Sequence, residues 1–385
     1  MVEMAKEKSA LDKFDEYKYY YATNREQQTL IDKVVLDYPA KATPYLINLM
    51  KNSEAIRKQY LPSPLESKTV GSAQPFEEGK HSSKIYGLER VYRDRVLLTP
   101  HFDCPAYCRF CYKKSRVMRN HPEMTFEQID AAIEEISKMD EVRGVLITGG
   151  DVLVNTKKLF YALDRLVKLD NIFEIRVGTR TLLTCPQIYT DKLCDRLASY
   201  IKVDVKNPAK SKSLAMNVHF NHPDELTPEA IQSASKLISR GILLRNQTVL
   251  LKGINDDIKT MKKLFSLLLR NRIIPYYMNH CMPVEGSDHL RCSVQKGIDI
   301  YKNLCTESST IIPHYVYAPS AGKVHCGVDT VLRCEKEDGL SIIRTEMEYT
   351  KDEFLKLTKK KTLPPKHECN EKGHIVGWYL DGNDD

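Results

Sequence analysis

The chain has 385 residues, 42% of them hydrophobic and 28% charged, and a net charge of +7, which is the profile of an ordinary globular enzyme. No apolar run approaches the ~20 residues needed to cross a bilayer, and the start (MVEMAKEKSALDKFDEY) is too charged for a signal peptide, so a cytoplasmic protein with no membrane partner is expected. The eleven cysteines are odd in number and irregular in spacing, so they read as thiols and candidate ligands; the modest positive charge suits phosphates and carboxylates without calling for nucleic acid.

Residues 1 to 90 are expected to form a helical cap and linker. "TLIDKVVLDYPAKATPYLINLMK" predicts two short helices broken around Pro39 and Pro44, and the Pro-, Ser- and Gly-rich run from 61 to 84 predicts irregular chain. From Arg95 a rhythm sets in. "RVLLT" reads as a strand, and "TFEQIDAAIEEISKM" as a helix with Thr125 and Gln128 in capping-box spacing and Ile129, Ala132, Ile133 and Ile136 on one face. "GVLITGGD" reads as a buried strand ending in glycines. Further on, Thr227 and Pro228 open a helix that Gly241 ends. Six strand-plus-helix units fall between 95 and 306. Such alternation predicts a parallel sheet covered by helices, either a partial (β/α)6 barrel or an open doubly wound sheet, with chemistry at the C-terminal strand ends. The divisions are 1–90, a barrel at 91–310, and an extension at 311–385.

The first strand runs directly into "CPAYCRFCYKKSR", which places Cys104, Cys108 and Cys111 on its C-terminal loop. Three thiolates can hold three irons of a [4Fe–4S] cubane and leave the fourth open. A zinc site with a borrowed fourth ligand, or three unconnected thiols, is the alternative from spacing alone. The C-x3-C-x2-C spacing with Phe110 before the last cysteine resembles the signature of radical S-adenosylmethionine (SAM) enzymes. The segment Thr148-Gly149-Gly150-Asp151 resembles that family's glycine-rich turn, where a ligand approaches the main chain closely.

"EIRVGTR" (174–180), "VHFNHPDELT" (218–227), "RNQTVLLKGIND" (245–256), "PYY" (275–277) and "APSAGK" (318–323) follow in order. With the cysteine loop they closely resemble lysine 2,3-aminomutase and its relatives from about residue 85 to 325. The resemblance implies a radical SAM partial barrel that moves an α-amino group to the β-carbon, with a [4Fe–4S] cluster, SAM and pyridoxal 5′-phosphate (PLP) as cofactors. It implies an amino acid as substrate and an electron donor such as flavodoxin or ferredoxin. It also implies that Lys323 forms the imine to PLP, that Tyr92 and Arg95 hold PLP, and that Gly149, Gly150, Asp151, Arg180, His219 and Gln247 line SAM. Val91 stands where relatives carry a second phosphate-binding arginine, a place that Arg90 or Arg93 would have to fill.

At three substrate positions the chain departs from the lysine enzymes. Met282 and Tyr317 stand where two aspartates grip the side-chain ammonium, and Lys113 where an arginine grips the carboxylate. An ammonium facing a thioether and a phenol would be left unpaired, so free lysine is not the expected substrate unless Glu285 or Asp288 restores a carboxylate. The lysines after Cys111 are expected to face anions. The long basic stretch 200–217 reads as a lid or a solvated loop. The C-terminal zinc-binding cysteine cluster of the lysine enzymes is absent, which leaves a homo-oligomer open. Other readings are a radical SAM enzyme acting on a protein lysine or nucleic acid, and a non-catalytic iron–sulfur or zinc protein.

Overall fold

The computed structural model describes residues 17–73, 85–90, 92–119, 121–307, 312–319, 322–327, 331–337 and 339–382. Three helices open it: α1 (Arg25–Asp37), α2 (Pro44–Met50) and α3 (Glu54–Tyr60). Pro39 falls in the break between the first two, and Pro44 takes the first position of α2, where its missing N–H leaves no bond unmade. The third helix begins at Ser53, whose hydroxyl accepts from Ile56 N, and was not anticipated.

The body is a nine-stranded sheet whose spatial order is its chain order. A short β1 (Leu88–Glu89) pairs antiparallel with β2 (Arg95–Leu98). Then come α4 (Phe126–Ser137), β3 (Gly144–Ile147), α5 (Thr156–Leu166), β4 (Glu174–Gly178), α6 (Thr181–Thr184), α7 (Asp191–Ala198), β5 (Ser213–Val218), α8 (Pro228–Ile238), β6 (Leu243–Leu250), α9 (Ile258–Arg270), β7 (Ile274–His280) and α10 (Val294–Glu307). These are the six anticipated strand-helix units. A seventh parallel strand, β8 (His314–Tyr317), follows, and β9 (Val324–His325) turns back antiparallel. No ladder joins β9 to β1 among the described residues, so the barrel stays open.

Each helix buries the face that its spacing prescribes. Ile129, Ala132, Ile133 and Ile136 of α4 are all buried, and Thr125 and Gln128 exchange both capping-box bonds. Removing each such aliphatic side chain from water contributes roughly 1.5–3 kcal/mol. Leu243, Arg245, Gln247 and Val249 of β6 are only partly buried, while Leu244, Asn246, Thr248 and Leu250 between them are fully covered. The first set lines the sheet's concave face and the second packs under helices, so β6 alternates instead of running continuously apolar. Its buried Asn246 is satisfied by both backbone groups of Phe220.

Beyond the sheet lies a smaller unit absent from the sequence reading. β10 (Val331–Glu337), β11 (Leu340–Thr350), α11 (Lys351–Thr358), β12 (His367–Cys369) and β13 (His374–Leu380) make a four-stranded antiparallel sheet in the order β10-β11-β13-β12. Met347, Tyr349, Phe354 and Ile375 form its core together with Val324, which joins it to the first sheet's edge. No helix among the described residues is long and apolar enough to cross a membrane.

Candidate functional site

Residues from the concave face and C-terminal ends of β2 to β7, together with 318–319 and 322–323, line one cavity of ≈ 350 Å³. Side chains from six consecutive strands can share one cavity only if the sheet curls around it, the geometry of a partial barrel. Cys104, Cys108 and Cys111 all reach this wall, and all eleven cysteines are free thiols. Three thiols on one loop beside an open cavity have the donor chemistry and spare face that a three-cysteine cubane needs. Arg180 Nη1 lies 3.0 Å from Cys108 Sγ, a donor aimed at one of those sulfurs.

The loop is held in place from both sides. On one side it meets the turn after β3, where Gly150 N donates to His101 O (2.9 Å) and Asp151 N to Asp103 O (2.8 Å). A Cβ on Gly150 would sit 2.1 Å from Asp103 O, and one on Gly149 (φ +125°) 2.4 Å from His101 O. These glycines are therefore required for the turn to seat against the cysteine loop, before any ligand is considered. Burial pushes the Asp151 carboxyl up to about 6, although it accepts from Arg180 N, Thr179 Oγ1 and Leu153 N. It ties the end of β3 to the end of β4.

On the other side the cap grips the loop. Tyr107 N donates to Lys41 O, Arg109 N to Gln59 O, and Lys41 Nζ to Cys104 O. The fully buried Glu66 accepts from Arg109 Nη2 at 2.6 Å and from Lys114 Nζ at 2.5 Å. Lys114 also donates to Gly286 O. The expectation that lysines behind the cysteines face anionic ligands is thus corrected for Lys114, which clamps the cap to the barrel. Lys113, 2% exposed, lies with its ammonium over the rings of Phe102 and Tyr112 and does not line the cavity.

Arg180, His219 and Gln247 all line the cavity. Arg180 Nη2 also bonds Gln59 Oε1 (2.6 Å) and Glu225 Oε1 (3.2 Å), so the cap reaches this wall too. The Asn221 Oδ1 already accepts from Val249 N, so it is a carbonyl oxygen, and His219 Nε2 must donate to it at 3.0 Å. Burial first, and Arg180 second, keep that imidazole neutral. Its Nδ1 is then a lone-pair acceptor.

Lys323 also lines the cavity, its Nζ 3.6 Å from the centre of the Tyr277 ring. Burial, with help from Arg95 and Arg176, lowers its pKa to about 7, so much of the amine is unprotonated near neutrality. Tyr92 stacks on Arg95, with the guanidinium 4.1 Å from the ring centre. Val91 lies outside the described residues. Arg90 is paired with Glu141 and Arg93 with Glu353, and neither lines the cavity; Arg176 does. Strand alternation from Gly178 through Arg176 would have found that arginine. Asn221 and Glu225 lie in the 218–227 segment quoted for the resemblance but carry no assigned role there, and Gln59 reaches the site from the cap through chain folding alone.

Of the three substrate positions, only Met282 lines the cavity. Tyr317 is fully buried and donates to Leu380 O at 3.2 Å. Asp288 pairs with Arg291 and accepts from Val70 N, and Glu285 lies outside the lining, so neither restores a carboxylate to the wall. The basic stretch 200–217 is not a lid on this cavity. Residues 200–212 precede β5 and fold back through the Lys202–Lys212 bridge at the N-terminal end of that strand, and 213–217 are part of β5 itself. Cys334 and Cys369 lie on β10 and β12, the two edges of the small sheet, too far apart in the ladder order to share a metal.

Comparison with known proteins agrees with this architecture. Residues 98–265 match the Radical SAM superfamily model. The chain is 35% identical to the L-lysine 2,3-aminomutase of Fusobacterium nucleatum over 82% of its own length and 73% of that protein's. It is 34% identical to the L-lysine 2,3-aminomutase of Acetoanaerobium sticklandii over 82% of its length and 75% of that protein's. It is also 35% identical to the glutamate 2,3-aminomutase of Clostridioides difficile, over 61% of its length and 54% of that protein's. A cysteine loop, glycine turn and inward lysine on an open parallel barrel, joined to this extent of identity, place the chain in the lysine 2,3-aminomutase family of radical SAM isomerases, whose cofactors are a [4Fe–4S] cluster, SAM and PLP.

Proposed function

We propose that this chain shifts the amino group of a small amino acid from its α- to its β-carbon, and that free lysine is not that amino acid. The observation that carries the reading is Lys323, a depressed-pKa amine that lines the same cavity as the three-cysteine loop. When bound, the cluster and SAM supply hydrogen abstraction, and PLP supplies a π-system attached to the migrating nitrogen. In this reading Cys104, Cys108 and Cys111 ligate the cluster, and Gly149, Gly150, Asp151, Arg180, His219 and Gln247 shape the SAM side. His219 offers its Nδ1 lone pair to a donor there. Lys323 would hold PLP through its amine, while Tyr92, Arg95 and Arg176 would supply an aromatic and cationic wall suited to its ring and phosphate. Residues 1–90 supply the cap that holds the cysteine loop, 91–310 the six strand-helix units, and 311–385 the extension that delivers the lysine.

Free lysine is disfavoured because, among the described residues, the cavity wall carries two carboxylates, Glu89 and Asp151, and both are engaged. Glu89 faces Arg116 at 3.6 Å, and Asp151 accepts three hydrogen bonds from the chain. An ammonium there would be buried without a partner. The test is anaerobic reconstitution with reductant, SAM, PLP and a panel of amino acids, measuring 5′-deoxyadenosine and β-amino acids. Absence of deoxyadenosine would exclude radical chemistry altogether. Deoxyadenosine without PLP trapped on Lys323 by borohydride would instead favour a radical enzyme that acts without PLP on another substrate.

A further inference from the structure

The side chain of Gln59, in the last turn of α3, is fully buried where the cap meets the cavity wall. Its orientation follows from partners that can act in one sense only. Oε1 accepts from Arg180 Nη2 at 2.6 Å, and a guanidinium can only donate. Nε2 donates to Ala55 O at 3.0 Å, and a carbonyl can only accept. Oε1 takes a second bond from Asn221 Nδ2 (2.9 Å), and Nε2 gives a second to Glu225 Oε1 (2.5 Å). Both lone pairs and both hydrogens of the carboxamide are thus in use, so it has no freedom to turn.

Arg180 lies between this amide and the cysteine loop. Its main-chain N is held by Asp151 Oδ2 at 2.7 Å, and its guanidinium carbon lies 4.9 Å from the centres of the Tyr60 and Phe110 rings. Ring contacts restrain where a guanidinium sits, but not which way its N–H bonds point within its plane. That direction is set at Nη2, by Gln59 Oε1 and less closely by Glu225 Oε1 at 3.2 Å. With Nη2 so held, Nη1 meets Cys108 Sγ at 3.0 Å.

We infer that Gln59 is a positioning residue: acting through Arg180, it keeps a hydrogen bond on the Cys108 sulfur and so sets how readily a cluster on the cysteine loop is reduced. The inference rests on the cluster reading of that loop and extends it to the cap. Hydrogen bonds to ligand sulfurs are among the levers that set an iron–sulfur potential, and the groups that orient a donor share in that control. Docking of the cap has other supports. Arg109 N bonds the main-chain oxygen of Gln59, Thr43 Oγ1 donates to Thr184 O (2.5 Å), Ser53 Oγ donates to Asp224 Oδ2 (2.7 Å), and the Glu66 clamp stands apart from all three.

The test compares wild type, Gln59→Met, Arg180→Met and the double variant, each reconstituted anaerobically with iron and sulfide. Iron per chain and the reduction potential from EPR-monitored titration are measured. Pulsed EPR on protein whose arginines carry isotope-labelled guanidinium nitrogens reads the contact itself. Wild type should show a guanidinium nitrogen coupled to the cluster, Arg180→Met should lose it, and Gln59→Met should weaken it. The potential should become more negative in Gln59→Met, and the double variant should go no lower than Arg180→Met, because one residue acts through the other. An unchanged potential and coupling in Gln59→Met at full iron content, or additive shifts in the double variant, overturn the inference and leave the cluster reading standing. A wild type that assembles no iron–sulfur cluster overturns both. Should Gln59→Met take up no iron, Gln59→Asn, whose carboxamide is one methylene short, is measured in its place with the same outcomes.

Discussion

Glutamine at position 66 would keep the side chain's shape and remove its charge, leaving Arg109 and Lys114 buried without a counter-ion. Burial on its own would raise the Glu66 carboxyl, but Arg109 and then Lys114 overcome it and hold the pKa at about 2, against an ordinary 4.5. That difference corresponds to about 3 kcal/mol of stability. Removing one partner of a buried ion pair costs about 3–5 kcal/mol by mutation, which is the same range. E66Q is therefore expected to lose about 3–4 kcal/mol at pH 7, read from urea unfolding followed by circular dichroism. The folded pKa is depressed, so the contribution is complete above pH 4.5 and disappears as pH falls toward 2. Wild type and variant should converge across that window. Arg109 lies between Cys108 and Cys111, so iron bound per chain after reconstitution should fall as well. A loss below about 1 kcal/mol, or a gap that does not narrow with acid, would refute the clamp.

Three other outcomes can be checked on the same protein. PLP capture at Lys323, followed by absorbance, should rise with pH around a midpoint near 7, because the free amine is the reactive form and its pKa is lowered to about 7; a midpoint near 10 would contradict the cationic, buried setting. Gly150→Ala should sharply reduce iron uptake, since its Cβ would fall 2.1 Å from Asp103 O, whereas Gly327→Ala, with nothing within 4 Å, should not. Arg180→Met removes the donor 3.0 Å from Cys108 Sγ, and such donors stabilise a reduced cluster, so the reduction potential measured by EPR-monitored titration should become more negative. An unchanged potential would leave Arg180 as a packing residue only.

Much of the frame was readable because it is written in local spacing. The helix of Phe126–Ser137 announces itself through its capping box and apolar face, and the six strand-helix units through their alternation. The small C-terminal sheet was not readable. Its strands mix charge with apolar residues, and β11 pairs on one side with its hairpin neighbour β10 and on the other with β13, more than twenty residues further on. The same divide runs through the site. Cys104, Cys108 and Cys111 form a motif because their spacing is itself the chemistry. Gln59 and Glu225 join Arg180 from separate segments, and no spacing encodes that meeting.

By itself, then, the sequence determined the type of chemistry: three thiols at fixed intervals, a glycine turn, and a lysine in a glycine-containing loop. It also marked the departure from the lysine enzymes at Lys113, Met282 and Tyr317. Only the tertiary structure decided what those departures mean. Lys113 and Tyr317 are buried outside the cavity lining, Lys114 goes to Glu66, and His280 comes to the wall against Tyr315. The physical reason is that a side chain's role follows from its partners and burial, and those are properties of contacts between distant segments.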